Sequence, residues 1–180
     1  HYYEASQGGL TISGGEPFAQ VEGLLHLLQS AKRLGLHTAI ETCGNTATEN
    51  MLAAEPYTDL FLFDLKHCNA QIFREVTGGD LPLILQNLTT LADKSPEKII
   101  LRVPVIPTFN FDEATIKGIF QLALERNIQK VELLPYHTLG KRKYEQMGRK
   151  YLLYDISSLT SRDLEPYRQL GVQMGLTITQ

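Results

Sequence analysis

Apolar and polar positions along this chain change period again and again. Short apolar runs give way to segments with apolar residues three and four apart. Residues 10–13, "LTIS", suit a strand and run into Gly14-Gly15-Glu16-Pro17. Leu24, Leu25, Leu27, Leu28, Ala31 and Leu34 then recur at helical spacing until Gly35 stops them. Pro17 stands where a first helical turn tolerates it. The alternation predicts further strands over 37–42 ("HTAIET"), 59–66 ("DLFLFDLK"), 98–107, 130–135 and, briefly, 176–179. It predicts helices over 46–54, 70–76, 81–93, 112–127 and 162–170. The polar, tyrosine-rich residues 139–159 read as loop. The run "DLFLFDLK" is apolar on both faces, as in a parallel sheet covered by helices.

Five βα units in succession imply right-handed crossovers and a parallel sheet, either doubly wound or curved into a barrel. Polar groups stand at every strand end: Ser13 to Glu16, Glu41 and Thr42, Asp64 and Lys66, Arg102, and His137. A doubly wound sheet would gather them at one switch point, whereas a barrel draws on all its strand ends for one mouth. Residues 1–180 show no linker and no low-complexity stretch, and read as a single domain.

Composition narrows the picture. Seventeen basic and twenty acidic side chains leave a net charge of -3, which argues against a broad nucleic-acid surface. No apolar run approaches the roughly 20 residues that span a bilayer. The two cysteines, Cys43 and Cys68, make no disulfide framework, which fits a reducing, cytoplasmic setting. The opening His1-Tyr2-Tyr3-Glu4 is no signal peptide and has no Met, so the chain looks cut at its start.

Each polar cluster admits more than one chemistry. Gly14-Gly15 lets a ligand approach bare backbone, with Glu16 ready to accept from an ammonium. The same residues also make a tight strand-to-helix turn whose acid matches the helix dipole. Asp64 and Lys66, two apart, face the same way. They could hold a polar ligand together, Lys66 could form a Schiff base, or the pair could simply cap the strand. Glu41 and Thr42 offer oxygens to a cation, or belong to turn chemistry with Gly44 and Asn45. His137 reads as a ligand contact or as an ordinary residue after a strand.

Taken in order, "TISGGEP", "ETCGN", "DLFLFDLKH", "LRVPVIP" and "VELLPYHTLGKRKYEQMG" resemble the activating enzymes of glycyl radical enzymes. Pyruvate formate-lyase activating enzymes are the nearest in pattern, within the radical S-adenosylmethionine superfamily. The resemblance implies an α/β fold, a partial (β/α)6 open, TIM-like barrel of parallel strands with the first strand missing. It implies a [4Fe–4S] cluster, held in the full-length protein on a Cys-x3-Cys-x2-Cys loop. An electron from that cluster cleaves S-adenosylmethionine, and the resulting radical takes hydrogen from a glycine of the partner enzyme. By the same match, Gly14, Gly15 and Glu16 would meet the methionine ammonium. Asp64, Leu65, Lys66, Arg102 (as a rim contact) and His137 would complete the cofactor site, and Glu41, Thr42 and Asp64 would hold a monovalent cation. Expected partners are a glycyl radical enzyme, engaged through its glycine loop, and an electron donor such as flavodoxin or ferredoxin, with neither nucleic acid nor membrane.

Two departures stand out. A cluster needs at least three close thiolates, and this chain has two, on different loops. The 180-residue polypeptide is therefore expected to lack the cluster and to be inactive alone, with weak cofactor binding or none. "VIPTFNFDE" also places Thr108 where the family turn has glycine. A barrel lyase with a Schiff base on Lys66, and a non-catalytic remnant that binds cofactor or peptide, are the competing readings. Which glycyl radical enzyme is served, and the oligomeric state, are not written in the residues.

Overall fold

The computed structural model describes residues 8–138, 148 and 156–179. Six strands form one sheet: β1 (Gly9–Ile12), β2 (His37–Thr42), β3 (Leu60–Asp64), β4 (Ile99–Val105), β5 (Lys130–Pro135) and β6 (Thr177–Thr179). Each pairs in parallel with the next, so the spatial order is the sequence order. The connecting helices are α1 (Val21–Arg33), α2 (Thr48–Ala54), α3 (Ala70–Thr77), α4 (Leu81–Ala92), α5 (Glu113–Glu125) and α6 (Glu165–Gln173). An order that never reverses, joined by right-handed crossovers, puts every helix on one face of the sheet. A doubly wound sheet reverses its order and is covered on both faces.

Burial follows that rule. On one face Ile40, Phe61, Phe63, Ile99, Leu101, Val103, Val105, Val131 and Leu133 are buried. They pack against Leu24 and Leu28 of α1, Met51 of α2, Phe73 of α3, Ile84, Leu88 and Leu91 of α4, and Ile119 and Phe120 of α5. Each large apolar side chain so covered contributes about 1.5–3 kcal/mol. The other face is open, and β4 shows this most plainly, alternating buried and half-buried positions along its length. The expectation that "DLFLFDLK" is dry on both faces is therefore corrected, because Leu62 and Asp64 point to the half-buried side. The strand also ends at Asp64, two residues short of the prediction.

Most helix ends follow local chemistry. Asn69, Asp80 and Asp112 cap α3, α4 and α5 by accepting from Ile72, Leu83 and Thr115. Pro17 opens a 3-10 turn (Pro17–Gln20) rather than α1 itself. The "VIPTFNFDE" turn keeps its left-handed residue without glycine, since Thr108 has φ 68°. That conformation is costly for a branched side chain.

The two ends of the sheet differ in kind. At the strand starts, Lys32 pairs with Asp59 at 2.8 Å and Lys98 with Glu55 at 2.9 Å, two ties between neighbouring connections. At the strand finishes, charged side chains turn onto the open face.

Candidate functional site

Parallel register sets three charged residues side by side, because Asp64 of β3 stands opposite Arg102 of β4, which stands opposite Glu132 of β5. Neighbours in one row share a face of the sheet. Arg102 Nε lies 3.6 Å from Asp64 Oδ1 and 3.4 Å from Glu132 Oε2, while its Nη1 donates to Glu41 Oε1. The Ser13 hydroxyl donates to the other oxygen of Glu41. Lys66 Nζ stands 3.4 Å from Asp64 Oδ2. Two cations thus face three carboxylates across the ends of four strands. Arg102, expected at the rim, is the hub.

The carboxylates respond differently. The Ser13 hydrogen bond, with help from Arg102 and against burial, holds Glu41 below the ordinary carboxylate range. Burial pushes Asp64 up, and Lys66 and Arg102 only partly oppose it. Asp64 Oδ1 and Arg102 Nε are buried without a hydrogen-bond partner. Leaving such atoms unmatched costs about 1–3 kcal/mol each. A group that donates to Asp64 Oδ1 and accepts from Arg102 Nε would satisfy both, and the ammonium and carboxylate of an amino acid are such a group.

The glycine loop beside this cluster is exposed. Gly14 has φ 129°, and a Cβ added to Gly14 or Gly15 would meet nothing within 4 Å. The Glu16 carboxylate is engaged within the protein. It accepts from Phe18 N at 3.3 Å, the Thr42 hydroxyl at 2.7 Å, Cys43 N at 2.9 Å and Cys43 Sγ at 3.0 Å. Those four donors match the acceptor capacity of a carboxylate, so Glu16 staples the β1 loop to the β2 loop. Burial first, and then the Glu16 carboxylate, push the Cys43 thiol up.

The oxygens of Glu41 and Asp64 lie on the open face, and that of Thr42 does not share it. Successive strand residues point to opposite faces. The Thr42 hydroxyl therefore lies with Glu16 on the helix-covered side, and the Arg102 guanidinium contacts both Glu41 and Asp64. Among the described residues no group of three or more His, Cys, Asp or Glu is arranged to hold a metal ion. Leu65 is fully buried in the core, and its N–H donates to Arg102 O at 2.9 Å, so its side chain takes no part in the open face. His137 is exposed just past β5, after the buried Tyr136. The "LGKRKYEQMG" stretch lies outside the described residues apart from Gly148.

Sequence reasoning missed Glu132, although an acid inside "KVELLP" at the Arg102 register is the kind of signal that could have found it. It also missed two fully buried asparagines behind the mouth loops. Asn87 of α4 donates to Gly44 O and Thr46 O, both at 2.8 Å, and its oxygen accepts from the Thr48 hydroxyl at 2.7 Å. Asn110 does the same for the loops after β3 and β4.

The singly wound parallel sheet, with helices on one face and charged side chains at the strand finishes, defines a partial (β/α)6 barrel. A domain of pyruvate-formate lyase-activating enzyme from Bacteroides vulgatus has the same fold, with a TM-score of 0.77 and 24% identity over 96% of this chain and 98% of that one. The isethionate sulfite-lyase activating enzyme of Nitratidesulfovibrio vulgaris is 40% identical over 177 residues, 98% of this chain and 56% of that protein. The choline trimethylamine-lyase activating enzyme of Oleidesulfovibrio alaskensis is 38% identical over 168 residues, 91% of this chain and 54% of that protein. No family profile matches. By sequence the chain is similar to these activating enzymes of glycyl radical enzymes, and it spans about half the length of the curated relatives it matches.

Proposed function

We propose that this chain forms the S-adenosylmethionine-binding rim of an activating enzyme that installs a glycyl radical on a partner enzyme. The observation that carries the reading is the row Asp64–Arg102–Glu132, flanked by Glu41 and Lys66, with two buried polar atoms left unmatched at its centre. Asp64 Oδ1 would accept from the methionine ammonium, and Arg102 Nε and Lys66 Nζ would hold its carboxylate. The bare backbone at Gly14-Gly15 admits close approach, and His137, exposed just past β5, would contact the far end of the ligand. Glu132 and Glu41 hold the Arg102 guanidinium from two sides, so this arrangement of charges keeps its shape before a ligand enters. Glu16 acts behind the site, fixing the loop that carries the glycines.

When bound, S-adenosylmethionine together with a [4Fe–4S] cluster supplies the one-electron chemistry that leaves a radical on the partner's glycine. With Cys43 and Cys68 on separate loops, the thiolates of that cluster come from sequence outside these 180 residues. The reading further assigns a cytoplasmic setting, a flavodoxin or ferredoxin as reductant, and recognition of the partner through its glycine loop.

The test uses the protein extended by the segment that bears the cluster cysteines. Calorimetry on the cluster-loaded protein should show S-adenosylmethionine binding that weakens at least about 10-fold in Asp64→Asn and in Arg102→Met, with the cluster's visible absorbance unchanged. Electron paramagnetic resonance of the reduced protein with its partner should show a glycyl doublet. Unaltered affinity in both variants sinks the site assignment, and a loaded, reduced protein that leaves every tested partner without a radical sinks the activity.

A further inference from the structure

The β3 ladder ends early, and the loop beyond it is held in an unusual way. Leu65 makes the last ladder bond, and the next carbonyl, Lys66 O, would project past the sheet. Asn110 takes it. Its Nδ2 donates to Lys66 O at 2.6 Å and to Pro104 O at 2.8 Å, and its Oδ1 accepts from Ile106 N at 2.6 Å. The side chain is fully buried, so one amide joins the loop after β3 to the loop after β4. On the far side of Lys66, His67 is buried too, with its ring 5.2 Å from that of Phe109 and its Nδ1 accepting from Asn69 N at 2.9 Å. Lys66 is thus the one side chain in the run 65–67 that reaches the open face. Both neighbours are anchored in the interior, and its own carbonyl is tied down.

We propose that Asn110 is a positioning residue. It touches no ligand group itself, and by fixing the Lys66 backbone against the loop after β4 it holds the Lys66 ammonium beside Asp64, where a carboxylate-bearing ligand meets it. Three hydrogen bonds from one buried amide set the carbonyl's direction, and that direction sets where a side chain attached two bonds away can reach. An Asn whose role is only to fill the interior would not need its two donors aimed at two different segments, the loop after β3 and the end of β4. The role of the ligand's carboxylate rests on the S-adenosylmethionine reading above, whereas the positioning of Lys66 does not.

Two measurements on the same extended protein separate those claims. In the ligand-free protein, the rate at which each lysine is acetylated by a trace of acetic anhydride is read by mass spectrometry. Lys32 and Lys98 serve as internal references, since both are ion-paired and their exposures, 36% and 28%, are above and equal to the 28% of Lys66. In Asn110→Ala the rate at Lys66 should rise about 10-fold while the two references keep theirs. A general loss of structure would speed all three, and in that event Asn110→Ser, which keeps one donor, makes the comparison. A folded variant in which Lys66 keeps its original rate overturns the proposal. The second measurement is a cycle on S-adenosylmethionine affinity. Asn110→Ala should weaken binding about 10-fold when Lys66 is present and add nothing in the Lys66→Met background. Equal losses in both backgrounds would show that Asn110 acts on the ligand by another route, and would overturn its action through Lys66. Failure of the unmodified protein to take up S-adenosylmethionine would sink the function reading and leave the acetylation result to decide this one.

Discussion

His67 shows how much a single side chain can carry without appearing in a motif. It is buried, and burial pulls its pKa below the ordinary value of 6.5, against the pull of Asp112. In the unfolded chain the imidazole takes a proton near that ordinary value, and in the folded chain only at lower pH. The unfolded state therefore binds more protons below pH 6.5, and stability falls as the solution is acidified from there to the folded pKa. The slope contributed by this residue should not exceed about 1.4 kcal/mol per pH unit. Denaturant melts between pH 7 and 5 should show it, and His67→Asn, which keeps an acceptor for Asn69 N, should flatten it even though the lost ring contact lowers stability throughout. At this scale the sequence was only partly legible. Glu16 was found, but its side chain faces the protein, because the donors that claim it come from the end of β2 and the residue after it, 26 and 27 positions away. Leu65 sits between two site residues in sequence, yet a strand's alternation sends it to the opposite face. Neither outcome can be read from the order of residues alone.

The elements were far more readable than their edges. Each predicted strand and helix exists, because periods of two and of three to four survive in the pattern wherever one face is buried. The ends moved by up to three residues where a loop's own bonds compete with the ladder, as after Asp64. The turn after β2 explains why such a loop keeps one shape. Gly44 has φ 71°, and a Cβ there would lie 2.3 Å from Phe63 Cζ. Asn87 holds the carbonyls on either side of Asn45. Gly44→Ala should therefore cost about 2–4 kcal/mol, from backbone strain and from displacing Phe63 together. A thermal melt checks this, and a loss under 1 kcal/mol would mean that the loop has a second arrangement available. The "ETCGN" stretch had announced a turn, but the neighbour that makes its glycine obligatory comes from the next strand.

For the molecule as a whole, the one-sided layering was within reach of the sequence and the charge row was not. Parallel strands in sequence order, separated by helices, imply helices on one face once right-handed crossovers are granted. Which charges meet on the bare face depends on register, and register is set by packing of the covered face. That packing places Asp64, Arg102 and Glu132 in line, although they lie 38 and 30 residues apart in sequence. At the opposite end of the sheet, Glu55 is buried against Lys98 and Ser95, with the Lys98 hydrogen bond holding it below the ordinary carboxylate range. Glu55→Gln should lower stability by about 1–2 kcal/mol and leave S-adenosylmethionine affinity as it was. A change in affinity would show that the two ends communicate through the sheet.

The separation of those ends has a practical side. A tether, dye or affinity handle fixed near Lys98 would hang from the floor of the structure, a full strand length from any incoming molecule. Heat-hardening by directed selection could work on that floor alone, leaving the chemistry above to be tuned by a different library.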